Sequence, residues 1–69
     1  MPFYCVNKTA QANGDHEVHT LDCYYVPARN NRHDLGQFAS CHGAVAKAQK
    51  DYYSQSNGCR SCSLSCHTS

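Results

Sequence analysis

The sequence predicts a small α+β domain, with a mostly antiparallel sheet of two to four strands and one main helix over about residues 40–54. Three observations carry that expectation. The first nineteen residues read as strand, turn and return strand. The stretch 41–53 is rich in Ala and Lys and has helical periodicity. The apolar inventory is too thin to hold a fold without cross-links, and six Cys and five His are the available ones.

Residues 3–8 (Phe-Tyr-Cys-Val-Asn-Lys) are aromatic and β-branched enough for a short strand. Alternation places Phe3 and Cys5 on one face, Tyr4 and Val6 on the other. Asn13-Gly14-Asp15 is a turn signal, because Asn and Gly tolerate positive φ. Glu17-Val18-His19 supplies the return strand. Cys23-Tyr24-Tyr25-Val26 extends briefly until Pro27 stops a ladder. Residues 29–34 read as a polar loop, and Leu35-Gly36-Gln37-Phe38 as a short strand or a turn into one.

Ser40 suits a helix N-cap, its hydroxyl accepting from an otherwise unpaired backbone N–H. Behind it, Cys41, Val45, Ala48 and Tyr52 fall on one helical face. Lys47 and Lys50 favour the C-terminal half through the helix dipole. Asn57-Gly58 ends the region with residues that accept left-handed geometry. The tail 59–67 reads as too short and polar for a buried element.

Sixty-nine residues allow one domain, taken here as 1–69, with six Lys+Arg against five Asp+Glu. That balance excludes a polybasic nucleic-acid tail or an acidic tail. The large aliphatic and Phe set comprises Val6, Val18, Val26, Val45, Leu21, Leu35, Leu64, Phe3, Phe38 and Met1, with no Ile or Trp. Such a core rarely supplies more than roughly 3–5 kcal/mol in so short a chain. The N-terminus lacks the charged and apolar regions of a signal peptide, and no run approaches bilayer length. We therefore expect a cytoplasmic chain with no membrane partner. There, clustered Cys serve metals more often than disulfides.

Two groups stand out: His19-x3-Cys23 and Cys59-x2-Cys62. A Cys-x2-Cys turn lets two sulfurs reach one ion while backbone amides point at them. Zinc takes four N/S ligands in a tetrahedron, and one His with three Cys is a standard structural complement. The expected metal ligands are thus His19, Cys23, Cys59 and Cys62, with zinc as cofactor. His16 and His67 compete with His19. Cys66 and His67 could complete the same site, and Cys66 could instead pair with Cys41 or fray. Cys41 and Cys5 read first as small buried hydrophobes. Cys41, Cys66 and His67 are the alternative ligands.

His19-Thr20-Leu21-Asp22-Cys23-Tyr24-Tyr25, Phe38-Ala39-Ser40 before an Ala-rich helix, and Gly58-Cys59-Arg60-Ser61-Cys62 together resemble the metal-binding domain of the Ada DNA-repair methyltransferase family. They resemble its catalytically silent relatives more closely. The stretch 6–19, Val-Asn-Lys-Thr-Ala-Gln-Ala-Asn-Gly-Asp-His-Glu-Val-His, extends the resemblance over nearly the full chain, to small uncharacterised bacterial zinc-binding proteins. By this resemblance His19, Cys23, Cys59 and Cys62 are ligands. A longer family register would use Cys62 and Cys66. In the repair enzyme the first ligand is a methyl-accepting Cys. Here that place belongs to His19, and an imidazole cannot replace the thiolate acceptor.

For Cys59 and Cys62 the competing reading is a redox dithiol, but no thioredoxin-like βαβ context surrounds them. In each Tyr doublet, 24–25 and 52–53, one ring is expected to pack and the other to face water. Arg29, Arg32 and Arg60 are the candidate phosphate contacts. Asp15-His16-Glu17 reads as a polar turn rather than an acid/base cluster. If His19 binds metal, its other ring nitrogen needs an acceptor, a carbonyl or Asp22. Three functions follow. The first is a non-catalytic zinc module binding a protein or nucleic acid. The second is an Ada-like metal-activated alkyl acceptor. The third is a disulfide-stapled secreted miniprotein.

Overall fold

Tyr4, Cys5 and Val6 are all buried, so the first strand is covered on both faces and lies inside a sheet. The computed structural model describes residues 1–68. Its strands are β1 (Phe3–Asn7), β2 (His16–Thr20), β3 (Arg32–Gln37) and β4 (Ser56–Gly58), with the helix α1 (Cys41–Asp51) between the last two. Short 3₁₀ turns occupy Arg29–Asn31 and Leu64–Cys66. The fold is α+β, with the four strands in the order β3-β1-β2-β4.

β1 pairs antiparallel with β2 (Cys5 opposite His19) and with β3. The expected hairpin forms, closed through the turn at Gly14, whose φ is +92°. β4 runs parallel to β2, with Val18 opposite Gly58, so the sheet is mixed. β3 begins at Arg32, inside the stretch expected to be a polar loop. It lies beside β1 and needs apolar contact only at Leu35, where a register shift opposite Tyr4 and Cys5 brings that side chain to the core.

The core joins Tyr4, Val6, Val18 and Leu35 of the sheet to Cys41, Ala44 and Ala48 of the helix, with Cys66 closing one end. Small residues on α1 let the helix lie close to the sheet. Its buried face centres on Ala44 rather than on the expected Cys41-Val45-Ala48-Tyr52 line. Val45 is only partly buried and Tyr52 is exposed. Ser40 holds the extended N-cap conformation, but its hydroxyl makes no capping hydrogen bond. The helix ends at Asp51 with Tyr52 as its C-cap, slightly short of the expected 54, and Asn57-Gly58 are extended within β4 rather than left-handed. His16 stacks on Tyr53 and His33 on Tyr52, fastening the helix end to β2 and β3.

By strand alternation, Glu17 and His19 of β2 and Cys5 of β1 face away from the helix. The tail 59–67 folds over both sides of β4 and is not the exposed segment expected. Cys59, Ser63 and Cys66 are buried. Gly58 makes that possible. A Cβ there would sit 2.6 Å from the Cys66 Cβ and 2.7 Å from the Ser63 carbonyl oxygen.

Candidate metal centre

Parallel pairing brings residues forty positions apart together. Cys59 N–H donates to the Val18 carbonyl at 2.9 Å, carrying Cys59 past the end of β4 to the side of His19. Ser63 N–H then donates back to the Cys59 carbonyl at 2.8 Å, closing a turn that presents Cys62. After β2, Cys23 N–H donates to the Thr20 carbonyl at 3.1 Å, and this turn returns Cys23 to the same point.

His19, Cys23, Cys59 and Cys62 form a cluster able to hold a metal ion, their donor atoms all within 4.8 Å of one another. The Cys23 and Cys59 sulfurs lie 4.0 Å apart. Two sulfurs sharing a tetrahedral ion through 2.3 Å bonds would be ~3.8 Å apart, against ~2.05 Å in a disulfide. The spacing rules out a disulfide and matches that of two sulfurs able to share an ion. Each sulfur also meets a backbone amide. Ser61 N–H donates to Cys59 at 3.4 Å and Thr20 N–H to Cys62 at 3.4 Å. The Tyr25 N–H serves Cys23. The amide two residues on thus faces the sulfur at both Cys23 and Cys59.

His19 is the strongest indication of a ligand. Its side chain is 1% exposed, yet neither ring nitrogen has a hydrogen-bond partner among the described residues. A buried imidazole left so costs ~1–3 kcal/mol per unsatisfied group. An ion at the sulfurs would satisfy one nitrogen. The Glu17 carboxylate lies 3.7 Å from Nε2, close to the other. Burial disfavours the imidazolium and lowers the His19 pKa, with Glu17 opposing in part, so the ring is suited to the neutral, metal-binding form.

The thiols compete for charge. Burial pushes the Cys23 thiol up, and negative charge at Cys62 and Cys59 pushes it further. Burial also opposes ionisation of Cys62. Hydrogen bonds from the Ser63 hydroxyl and the Thr20 amide outweigh it and hold Cys62 below its ordinary range. Three thiolates at this spacing require a cation among them. Cys5, fully buried on β1, stays outside the cluster. Burial pushes its thiol up to about 11, and it serves the core.

The remaining candidates go elsewhere. Cys41 and Cys66 are joined in a disulfide, so neither is a ligand of the His19 cluster, and the longer register using Cys62 with Cys66 is not adopted. His67 Nδ1 bonds the Gly58 carbonyl at 3.1 Å, and His16 Nδ1 bonds the Asn7 carbonyl at 2.9 Å. Arg32 is engaged by Asp34 at 3.0 Å and by the Pro27 carbonyl, while Arg29 and Arg60 are exposed. Both Tyr24 and Tyr25 face solvent, 92% and 61% exposed, contrary to the expectation that one would pack. The two rings meet each other edge-to-face, with centroids 5.1 Å apart. A three-disulfide scaffold does not form. The described residues hold one disulfide and four free cysteines.

Sequence reasoning expected Asp22 or a carbonyl beside His19 and missed Glu17. Asp22 is exposed. Glu17 stands two residues before His19 on one strand and shares its face, a period-2 signal present in the sequence. No family model matches this chain, and comparison with curated proteins and with solved structures finds no significant match. No helix among the described residues is long and apolar enough to cross a membrane.

Proposed function

We propose that this chain is a non-catalytic structural-zinc module that presents a surface to a protein partner. The observation that carries the reading is His19, buried without a partner for either ring nitrogen inside a four-donor cluster. Three sulfurs and one imidazole suit zinc. Nε2 faces Glu17, so Nδ1 is the nitrogen left for the ion, and Glu17 completes a carboxylate–histidine–metal relay. Four protein ligands leave no open coordination position, and zinc supplies cross-linking rather than a reacting water. It clamps β2 to the turn after β4.

The solvent-facing Tyr24 and Tyr25, directly after ligand Cys23, are the surface we favour for the partner. A near-neutral chain and an Arg32 engaged by Asp34 favour a protein over a nucleic acid. A gel-shift series over salt separates the two, because phosphate binding weakens steeply as salt rises. We place the module in the cytoplasm, where clustered thiols serve metals. The Cys41–Cys66 bond then stands in a compartment whose thiol buffers reduce such bonds.

Metal analysis and native mass of the purified protein test the centre. One zinc per chain, lost together with folding on chelation, supports it; a folded chain without stoichiometric metal refutes it. One observation favours the Ada-like alkyl acceptor as a second reading. Cys62 is the most accessible of the cluster sulfurs. Alkylation of Cys62 in the zinc-loaded protein as fast as that of a free thiol would favour it. Protection would leave the structural reading standing.

A further inference from the structure

We infer that the helix side of the sheet carries a second metal site, built from Cys41, His42 and Cys66, that opens when the Cys41–Cys66 bond is reduced. The ligand class is a borderline-to-soft cation such as zinc. The two sulfurs and a His42 ring nitrogen lie within 4.8 Å of one another. They come from the first two residues of α1 and the end of the Leu64–Cys66 turn, which Gly58 seats against β4. His42 is exposed, and its imidazole has no hydrogen-bond, ion-pair or ring partner among the described residues.

Access and electrostatics suit the same chemistry. A surface cleft of about 250 Å³ opens beside the bond, lined in part by His42, Gln49, Ser65, Cys66 and Thr68. It admits a reductant and leaves room for water as a fourth ligand. The Ser65 hydroxyl lies 3.4 Å from the Cys41 sulfur and is a second candidate for that position. Cys41 is the first helical residue and no acidic side chain occupies the first turn, so the unpaired helix amides favour a thiolate there.

The reaction balances with a dithiol as reductant. Its thiolate attacks one cysteine sulfur and the S–S bond breaks. A mixed disulfide forms, and the second thiol of the reductant resolves it. The dithiol leaves as its own disulfide, having given two electrons, and its two protons end on Cys41 and Cys66. A divalent ion then displaces both protons to solvent, and His42 supplies the imidazole. The sulfurs need only part to ~3.8 Å, a side-chain rotation within the same backbone. Three protein ligands and an open position make this site more labile than the four-ligand centre on the opposite face.

Native mass spectrometry of the full chain with added zinc, with and without a phosphine reductant, tests the inference. The oxidised protein is expected to hold one zinc and the reduced protein two. His42→Ala should weaken the second zinc at least about tenfold and leave the first unchanged. The double variant Cys41→Ser, Cys66→Ser should never exceed one. The inference is overturned if the reduced protein takes up no more zinc than the oxidised one. It is overturned equally if the second zinc survives both variants, or if amide dispersion collapses on reduction with zinc present. The oxidised count reports the His19 centre alone, so failure there is read separately from failure of the second zinc.

Discussion

Two sulfur groups grip the same C-terminal segment from opposite faces of one sheet. On the helix face, Cys41 and Cys66 are bonded to each other. On the other face, Cys23 and Cys59 stop at 4.0 Å, with Cys62 and His19 beside them. The difference lies in the backbone. The turns at Cys23 and Cys59 aim amides at their sulfurs and hold them around a common point, as an ion requires. At Cys41 the Ser65 hydroxyl is the hydrogen-bonding neighbour, and the bare α-carbon of Gly58 lets the Leu64–Cys66 turn close in. The same residue type therefore ends in an open donor cluster or in a covalent pair according to what its neighbours donate.

Removing each cross-link separately breaks that comparison, and the metal should matter most. Structural zinc contributes about 10–16 kcal/mol in small finger peptides at neutral pH, more than a core this small can replace. Excess chelator at neutral pH should unfold the chain, read by circular dichroism. An unchanged melting curve would refute the centre. Acid should act in the same direction. The folded His19 pKa is lowered, so the unfolded chain takes up that proton first. Stability then rises with pH in the window below the ordinary His value of about 6.5. The metal-loaded protein should lose structure more steeply still, because its thiolates reprotonate. A melting temperature flat between about pH 5 and 7 would contradict both effects.

The disulfide comes second. Its cysteines are 25 residues apart, and closing such a loop restricts the unfolded chain by about 3–4 kcal/mol. Changing Cys41 and Cys66 together to Ala should lower stability by about that amount while the metal stays bound. Urea titration of the oxidised proteins measures it. If the double variant loses metal along with stability, the two faces are coupled and not independent.

Much of this arrangement was legible in local pattern. β1, the Gly14 turn, β2 and the helix each carry a short-range signal, and the His-x3-Cys and Cys-x2-Cys spacings name the donors that meet. What escaped depends on contacts far apart in sequence. Ser56-Asn57-Gly58 is a poor strand by propensity and exists because β2 offers it a parallel edge. The tail's polarity hid its burial, because Ser63 and Cys66 gain their cover only when the turn folds over Gly58. The partner of Cys41 had the same long-range character. Helical spacing marked Cys41 as inward-facing and left open whether Cys66 would reach it.

Glu17 sharpens the comparison at its smallest scale, because only the ion-type cluster contains a histidine that a carboxylate can orient. The Glu17 carboxylate lies 3.7 Å from Nε2, and in the proposed centre it would hold the ring with Nδ1 left for the ion. Glu17→Gln keeps the size and removes the charge. It should weaken metal binding by about 10–100-fold, or ~1.4–2.7 kcal/mol. Glu17 lies on the sheet face away from the helix, and Gln matches it in size, so the substitution spares the helix-side core. A lost packing contact would shift melting without altering the imidazole, so the ring nitrogens are the discriminating probe. Nitrogen NMR of the zinc-loaded protein should show Nδ1 bound and Nε2 protonated, with the Nε2 proton in faster exchange in the variant. Equal zinc affinity together with unchanged proton exchange would mean that strand geometry alone holds His19 in place.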